Sequence, residues 1–236
     1  DNSEWEHFGS DYILDAERTN CNCETCNVYN MLKMTKLFFM ITGDVKYADW
    51  YENTFINSIL SSQNPEDGMT TYFQPMASGY YKVYGERFNK FWCCTGTGME
   101  NFSKLQESFY FEKEDALIVN QYMASKVVFK GVEIEQQANV PASDKVIFTI
   151  KDALEGKILF RLPYWLADEA EIVINGCGHP YDIVGAENGK GYAVVEGPFT
   201  AGTEIEVRLP MKVVAYNLPD GEHTYAFKYG PVVLSA

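Results

Sequence analysis

The run Glu112-Lys113-Glu114-Asp115-Ala116-Leu117-Ile118-Val119-Asn120-Gln121-Tyr122 is where the hydrophobic pattern changes its period. Ahead of it, Val28, Met31, Leu32, Leu37 and Phe38 follow the 3.6-residue spacing of a helix, and Gly43 stands at a C-terminal cap position. Asp44 can cap a second helix whose apolar side is Tyr47, Trp50, Tyr51, Phe55 and Ile59. The short Thr42-Gly43-Asp44 link makes the two an antiparallel αα-hairpin. A polar connection runs from Gln63 to about Lys90, with a turn at Pro65-Glu66-Asp67-Gly68 and a short strand expected over Met69–Phe73. The last helix is expected after Thr97, with Met99, Phe102, Leu105 and Phe109 along one side.

Beyond Glu112 the apolar residues alternate. Leu117–Tyr122, Lys126–Phe129, Val132–Gln136, Lys145–Ile150, Lys157–Leu162, Glu171–Ile174, Gly191–Val195 and Glu204–Leu209 are short, rich in Val and Ile, and separated by Gly, Pro, Asp and Asn. Two antiparallel sheets packed face to face follow from that spacing. The fold class is α + β in more than one domain. Residues 1–111 form the helical region and 112–236 a β-sandwich domain, with the last strand, about 224–235, starting or completing another sheet.

With 46% hydrophobic and 22% charged residues the chain is an ordinary globular one. A formal charge of -14 argues against nucleic acid as partner, because phosphate binding draws on lysines and arginines in excess. No apolar run reaches the roughly 18 residues of a membrane span. A neutral substrate or a cation suits this surface, and some of the 15% aromatic residues could serve as platforms for sugar rings. The opening Asp1-Asn2-Ser3-Glu4-Trp5, without Met or leader pattern, reads as a processed or internal start, and Tyr225–Leu234 reads as a strand running into the terminus. The compartment stays open between cytoplasm and secretion.

Cysteines occupy positions 21, 23, 26, 93, 94 and 177, so five of six fall into two tight groups. Adjacent cysteines close a strained disulfide ring, which leaves Cys93 and Cys94 as metal-bound thiolates or buried structural residues. Zinc takes four ligands, and Glu24, Cys26, Cys93 and Cys94 would fill that shell. Glu24 and Cys26, two apart, can converge only at an irregular or first-turn helix start. Three thiolates and a carboxylate overcompensate a dication, so one thiolate could be loosely held and available to attack carbon. The plainer alternative is a closed structural zinc site.

The stretches Glu24-Thr25-Cys26-Asn27-Val28-Tyr29-Asn30-Met31-Leu32-Lys33, Tyr47-Ala48-Asp49-Trp50-Tyr51-Glu52, Gln63-Asn64-Pro65, Thr70-Thr71-Tyr72-Phe73-Gln74-Pro75-Met76 and Phe91-Trp92-Cys93-Cys94-Thr95-Gly96-Thr97-Gly98-Met99-Glu100-Asn101 resemble glycoside hydrolase family 127, the β-L-arabinofuranosidases. The resemblance covers nearly the whole chain and implies an internal or C-terminal portion of such an enzyme. It implies the last helices of an (α/α)6 toroid followed by the sandwich. It also implies Zn²⁺ on Glu24, Cys26, Cys93 and Cys94, with Cys93 as the nucleophile. The family's acid/base glutamate lies in a Glu-x-Phe context upstream, which Glu6-His7-Phe8 matches better than Glu4 does. The implied reaction is retaining hydrolysis of β-L-arabinofuranosides or related sugars. A toroid needs twelve helices and this chain supplies about three. The family's substrate-binding histidines fall outside it, since only His7, His179 and His223 are present.

Two further readings stand beside the enzyme. One is a non-catalytic structural zinc site supporting a carbohydrate-binding β-sandwich, and the other is a redox cluster of Cys21, Cys23 and Cys26. Cys21 and Cys23 crowd the ligand group. Cys177, in a Gly-Cys-Gly turn, and His179 and His223 are read without a role.

Overall fold

A computed structural model describes residues 3–235; Asp1, Asn2 and Ala236, the outermost residues of the two expected domains, lie outside the described residues, as do the Ser3 and Glu4 side chains. In chain order the elements open with β1 (Ser3–Glu4), β2 (His7–Phe8), α1 (Thr25–Thr42) and α2 (Val45–Thr54). A π-helical turn at Phe55–Ile59 and a 3-10 turn at Leu60–Ser62 extend α2, and α3 follows at Cys93–Ser103. A long β region then comprises β3 (Tyr110–Lys113), β4 (Ala116–Val119), β5 (Met123–Phe129), β6 (Val132–Asn139), β7 (Lys145–Ile150), β8 (Lys157–Arg161) and β9 (Glu171–Ile174). It continues through β10 (Cys177–Gly178), β11 (Asp182–Val184), β12 (Tyr192–Glu196), β13 (Glu204–Arg208), β14 (Val213–Asn217), β15 (Tyr225–Tyr229) and β16 (Val232–Leu234). The fold is therefore α + β, with few helices and several largely antiparallel sheets. Among the described residues no helix is long and apolar enough to cross a membrane.

Two compact units divide the chain: Asp1–Leu37 with Trp50–Leu105 and Val214–Ala236, and Phe38–Asp49 with Gln106–Val213. In the first unit, the segment that leads into α1 is laced to residues 72–74: the N–H of Thr25, the first residue of α1, donates to the Tyr72 carbonyl at 3.0 Å and Gln74 N–H to that of Asn22 at 2.9 Å. The strand expected over Met69–Phe73 is replaced by isolated bridges, Gln63 with Thr70 and Thr71 with Tyr84. The sheet β14-β15-β16 is tied to the π-helical turn by Asn57, whose side chain donates to the Pro231 carbonyl at 2.9 Å and accepts the Val233 N–H at 2.8 Å.

The second unit is built on a six-stranded sheet ordered β10-β9-β13-β7-β6-β5 and a five-stranded sheet ordered β11-β12-β8-β4-β3. Alternation decides which residues go inside: Val146, Phe148 and Ile150 from one sheet meet Ile158, Phe160, Ala193 and Val195 from the other in a single core. The Phe148 and Phe160 rings touch across it at 4.9 Å between centroids, and burying each aromatic side chain contributes roughly 1.5–3 kcal/mol. One pairing departs from the antiparallel expectation. β4 and β8 run parallel, because β5, β6 and β7 cross to the other sheet before the chain returns. All four residues of β4 are buried, for Ile118 packs outward on Phe39, Val45, Ala48 and Tyr192 while Leu117 and Val119 point into the core.

Gly43, at φ 68°, ends α1, its N–H donating to the Phe39 carbonyl at 2.7 Å, and Asp44 Oδ1 accepts the Lys46 N–H at 3.1 Å to start α2. The buried Arg161 of β8 meets Asp49 of α2 in an ion pair and donates through Nε to the Asn120 carbonyl at 2.6 Å. Burial raises the Asp49 carboxyl above its ordinary range, and the Arg161 charge opposes that rise.

Candidate metal and thiol site

Glu24 sits one residue ahead of α1 and acts as its cap, Oε2 accepting the Asn27 N–H at 3.0 Å. The other carboxylate oxygen is left to face Cys94 Sγ at 3.3 Å. Side chains two apart diverge along a helix. Here they converge because Glu24 precedes the helix while Cys26 lies in its first turn. Cys26 Sγ is 3.1 Å from Thr97 Oγ1 and 3.2 Å from Cys94 Sγ.

The second pair comes from α3, which begins at Cys93 rather than after Thr97. Thr95 makes that earlier start: its Oγ1 accepts the Trp92 N–H at 3.2 Å while its own N–H donates to the Trp92 carbonyl at 3.0 Å. Successive helix residues point about 100° apart. Cys94 is consequently fully buried and Cys93 is exposed. Ligand atoms of Glu24, Cys26, Cys93 and Cys94 all lie within 4.8 Å of one another.

Glu6 reaches this group through Tyr72. Cys93 Sγ is 3.6 Å from the Tyr72 hydroxyl, which in turn donates to Glu6 Oε1. The Tyr72 ring is held between Phe73, 4.5 Å away, and Trp92, 5.6 Å away, and Trp5 meets Phe73 at 6.0 Å. Glu6 is exposed and has a left-handed backbone, φ 70°.

Burial pushes the Cys94 thiol far above its ordinary range, and the neighbouring Cys26 and Glu24 add to that rise. Burial likewise raises Cys26, partly offset by its hydrogen bonds from Thr97 and Cys94. Acids crowded in this way hold their protons until a cation joins them.

Residues 1–107 match the family described as Beta-L-arabinofuranosidase, GH127 catalytic domain, and residues 116–211 match Beta-L-arabinofuranosidase, GH127 middle domain. The chain belongs to glycoside hydrolase family 127. Solved structures share the fold of this family 127 chain. A GH127 β-L-arabinofuranosidase from Geobacillus stearothermophilus T6 is 23% identical, with a TM-score of 0.79 over 98% of this chain and 39% of its own. A GH127 β-arabinofuranosidase gives 22% and 0.81 over 96% and 38%, and a protein titled glycoside hydrolase gives 22% and 0.77 over 89% and 37%. The chain thus spans less than two-fifths of each of these structures. No curated protein matches it.

The donor set of this family 127 chain fits a zinc ion. Soft sulfur with one carboxylate is a zinc shell, and the edges of a tetrahedron built on such bonds run about 3.8 Å, comparable with the 3.2 and 3.3 Å separations around Cys94. Cys23 is turned away from the group, buried against Ser58 with Sγ 3.1 Å from its Oγ, and Cys21 Sγ lies 3.6 Å from Asn20 Oδ1. Cys177 is exposed on β10, His7 and His223 are exposed, and His179 is half-buried. Spacing alone missed the hydroxyls: Tyr72, between Glu6 and Cys93, and Thr97, against Cys26. Tyr72 stood in a stretch that carried the resemblance, but a role for its hydroxyl has no signature in one dimension.

Proposed function

We propose that this chain carries the zinc and nucleophile portion of a retaining glycoside hydrolase acting on β-L-arabinofuranosides or related sugars. The observation that supports it is the convergence of three sulfurs and one carboxylate with a single sulfur, that of Cys93, left exposed. Glu24, Cys26, Cys93 and Cys94 would hold the metal. A bound zinc ion supplies a thiolate at neutral pH and makes sulfur a better leaving group.

In this reading the Cys93 sulfur attacks the anomeric carbon while Glu6 gives its proton to the departing oxygen. The carbon–oxygen bond breaks as the carbon–sulfur bond forms. Glu6, now a carboxylate, takes a proton from water, whose oxygen attacks the same carbon and releases the Cys93 thiolate. Two displacements at one carbon leave its configuration retained. Tyr72 holds the Glu6 carboxylate on the Cys93 side.

Helices α1 to α3 are read as part of an (α/α)6 toroid. The helical region 1–111 and the β-sandwich domain 112–236 are kept as the domain division. Support for the division comes from the separate matches of residues 1–107 to a catalytic-domain family and of residues 116–211 to a middle-domain family.

The deciding experiment combines metal analysis with turnover of an aryl β-L-arabinofuranoside by a full-length enzyme. One zinc per chain is expected, with turnover reduced at least about a thousandfold in Cys93→Ser. Full activity in that variant refutes the nucleophile assignment.

A further inference from the structure

The second unit carries two adjoining hollows, of about 550 and 350 Å³, with Ala170 and Tyr181 lining both. The larger falls within the size range of small-molecule sites. Its apolar lining comes from Leu162, Leu166, Ile183 and Ala186, while Asp168, Glu169 and Lys190 bring charge to it.

The surroundings are built rather than loose. The Tyr181 hydroxyl donates to the Ala170 carbonyl at 2.7 Å, which fixes the ring between the hollows. Burial and the Glu169 charge raise that phenol, which stays protonated at neutral pH. The connection between β11 and β12 forms a wall and is pinned at several points. Asn188 Nδ2 donates to Asp44 Oδ2 at 2.8 Å, and Lys190 Nζ donates to the Leu166 carbonyl at 2.8 Å. Gly189 lies so close to α2 that a Cβ there would fall 2.7 Å from Val45 Cγ1.

We propose that these hollows form a non-catalytic oligosaccharide site on the β-sandwich, the sugar chain crossing the Tyr181 ring from one hollow to the other. Sugar rings present C–H faces to an aromatic side chain and hydroxyls to carboxylates and ammonium groups. Asp168 and Glu169 are exposed and accept hydroxyl protons, and both repel anionic ligands. Among the described residues no three ligand-type groups converge here, which disfavours a divalent cation. The choice of an arabinose-containing chain rests on the glycosidase reading; the site itself rests on the hollows and their lining.

The test is a methyl-labelled NMR titration of the Cys93→Ser chain with arabino-oligosaccharides of two to four units. Parallel titrations use free arabinose and calcium chloride. Methyl signals of Leu166, Ile183 and Ala186 are expected to shift with the oligosaccharide, and Tyr181→Leu should weaken that binding by about tenfold. Unmoved signals at tens of millimolar, a shift with calcium only, or unchanged affinity in Tyr181→Leu would overturn the proposal. Should Tyr181→Leu fail to fold, Asp168→Ala/Glu169→Ala at exposed positions decides: weakened binding supports the site and unchanged binding rejects it. Zinc content and turnover of the full-length enzyme are read separately. An active full-length enzyme together with still methyl signals in the Cys93→Ser chain refutes only this site, whereas shifting signals in that chain together with an inactive, zinc-free full-length protein refute only the glycosidase reading.

Discussion

Cys93 and Cys94 are neighbours in sequence with opposite surroundings, one exposed and the other fully buried. Stripped of metal by a chelator, Cys93 should be alkylated by iodoacetamide well before Cys94, whose thiol burial keeps protonated; peptide mass spectrometry reads the order. Zinc restored beforehand should protect both, and equal rates with and without zinc would contradict the shared shell. Lys228 offers a different residue-level test. Buried, with Nζ 2.6 Å from Asn53 Oδ1, it has its ammonium pushed down to about 8 by burial, with Glu52 opposing. An unfolded lysine keeps its proton to about pH 10.4, so between roughly pH 8 and 10.4 the unfolded state binds more protons and stability rises with pH. Lys228→Met should flatten that rise in thermal melts, and an identical slope in both proteins would count against it. At this scale the grouping was readable, since the two cysteine clusters and Glu24 singled out side chains whose ligand atoms the fold brings within 4.8 Å of one another. The hydroxyl contacts of Tyr72 and Thr97 were not, because tyrosine and threonine are common and only distance singles these out.

Helix α3 shows what decides an element's position. Gly98 faces Thr70, and a Cβ added there would stand 2.4 Å from Thr70 Oγ1 and 3.0 Å from Thr70 Cβ. Gly98→Ala should therefore destabilise by about 1–3 kcal/mol through overpacking, outweighing the gain of up to about 1 kcal/mol in helix propensity. Gly96, with nothing within 4 Å of such a Cβ, should instead gain stability on conversion to Ala. Urea unfolding of the two variants checks the pair, and equal effects would mean that α3 is not pressed against Thr70. The same glycines explain why the helix start was misplaced in the sequence: Thr95, Gly96 and Gly98 are poor helix formers, and the Thr95 bond to Trp92 is invisible to propensity. The αα-hairpin link and most strands, by contrast, were legible, because Gly43, Asp44 and alternating Val and Ile each act through local backbone preference. The π-helical turn at Phe55–Ile59, held to β16 by Asn57, has no such local mark.

At the scale of the whole molecule, the buried Arg161–Asp49 pair ties the α2 start to the five-stranded sheet. Asp49→Leu should cost about 3–5 kcal/mol by stranding a buried charge, while Arg161→Met combined with Asp49→Leu should recover much of it. A denaturant series on the single and double variants checks this, and strictly additive losses would argue against a coupled pair. Such long-range pairing was not readable, since Asp49 and Arg161 lie 112 positions apart. Strand β4, sealed on both faces and paired with β3 and β8 on both edges, has a consequence of its own. Amide protons of residues 116–119 within those pairings have no partial opening through which to swap with deuterium. Their exchange should be set by the equilibrium of complete unfolding, making this short stretch an internal gauge of the unit's total free energy.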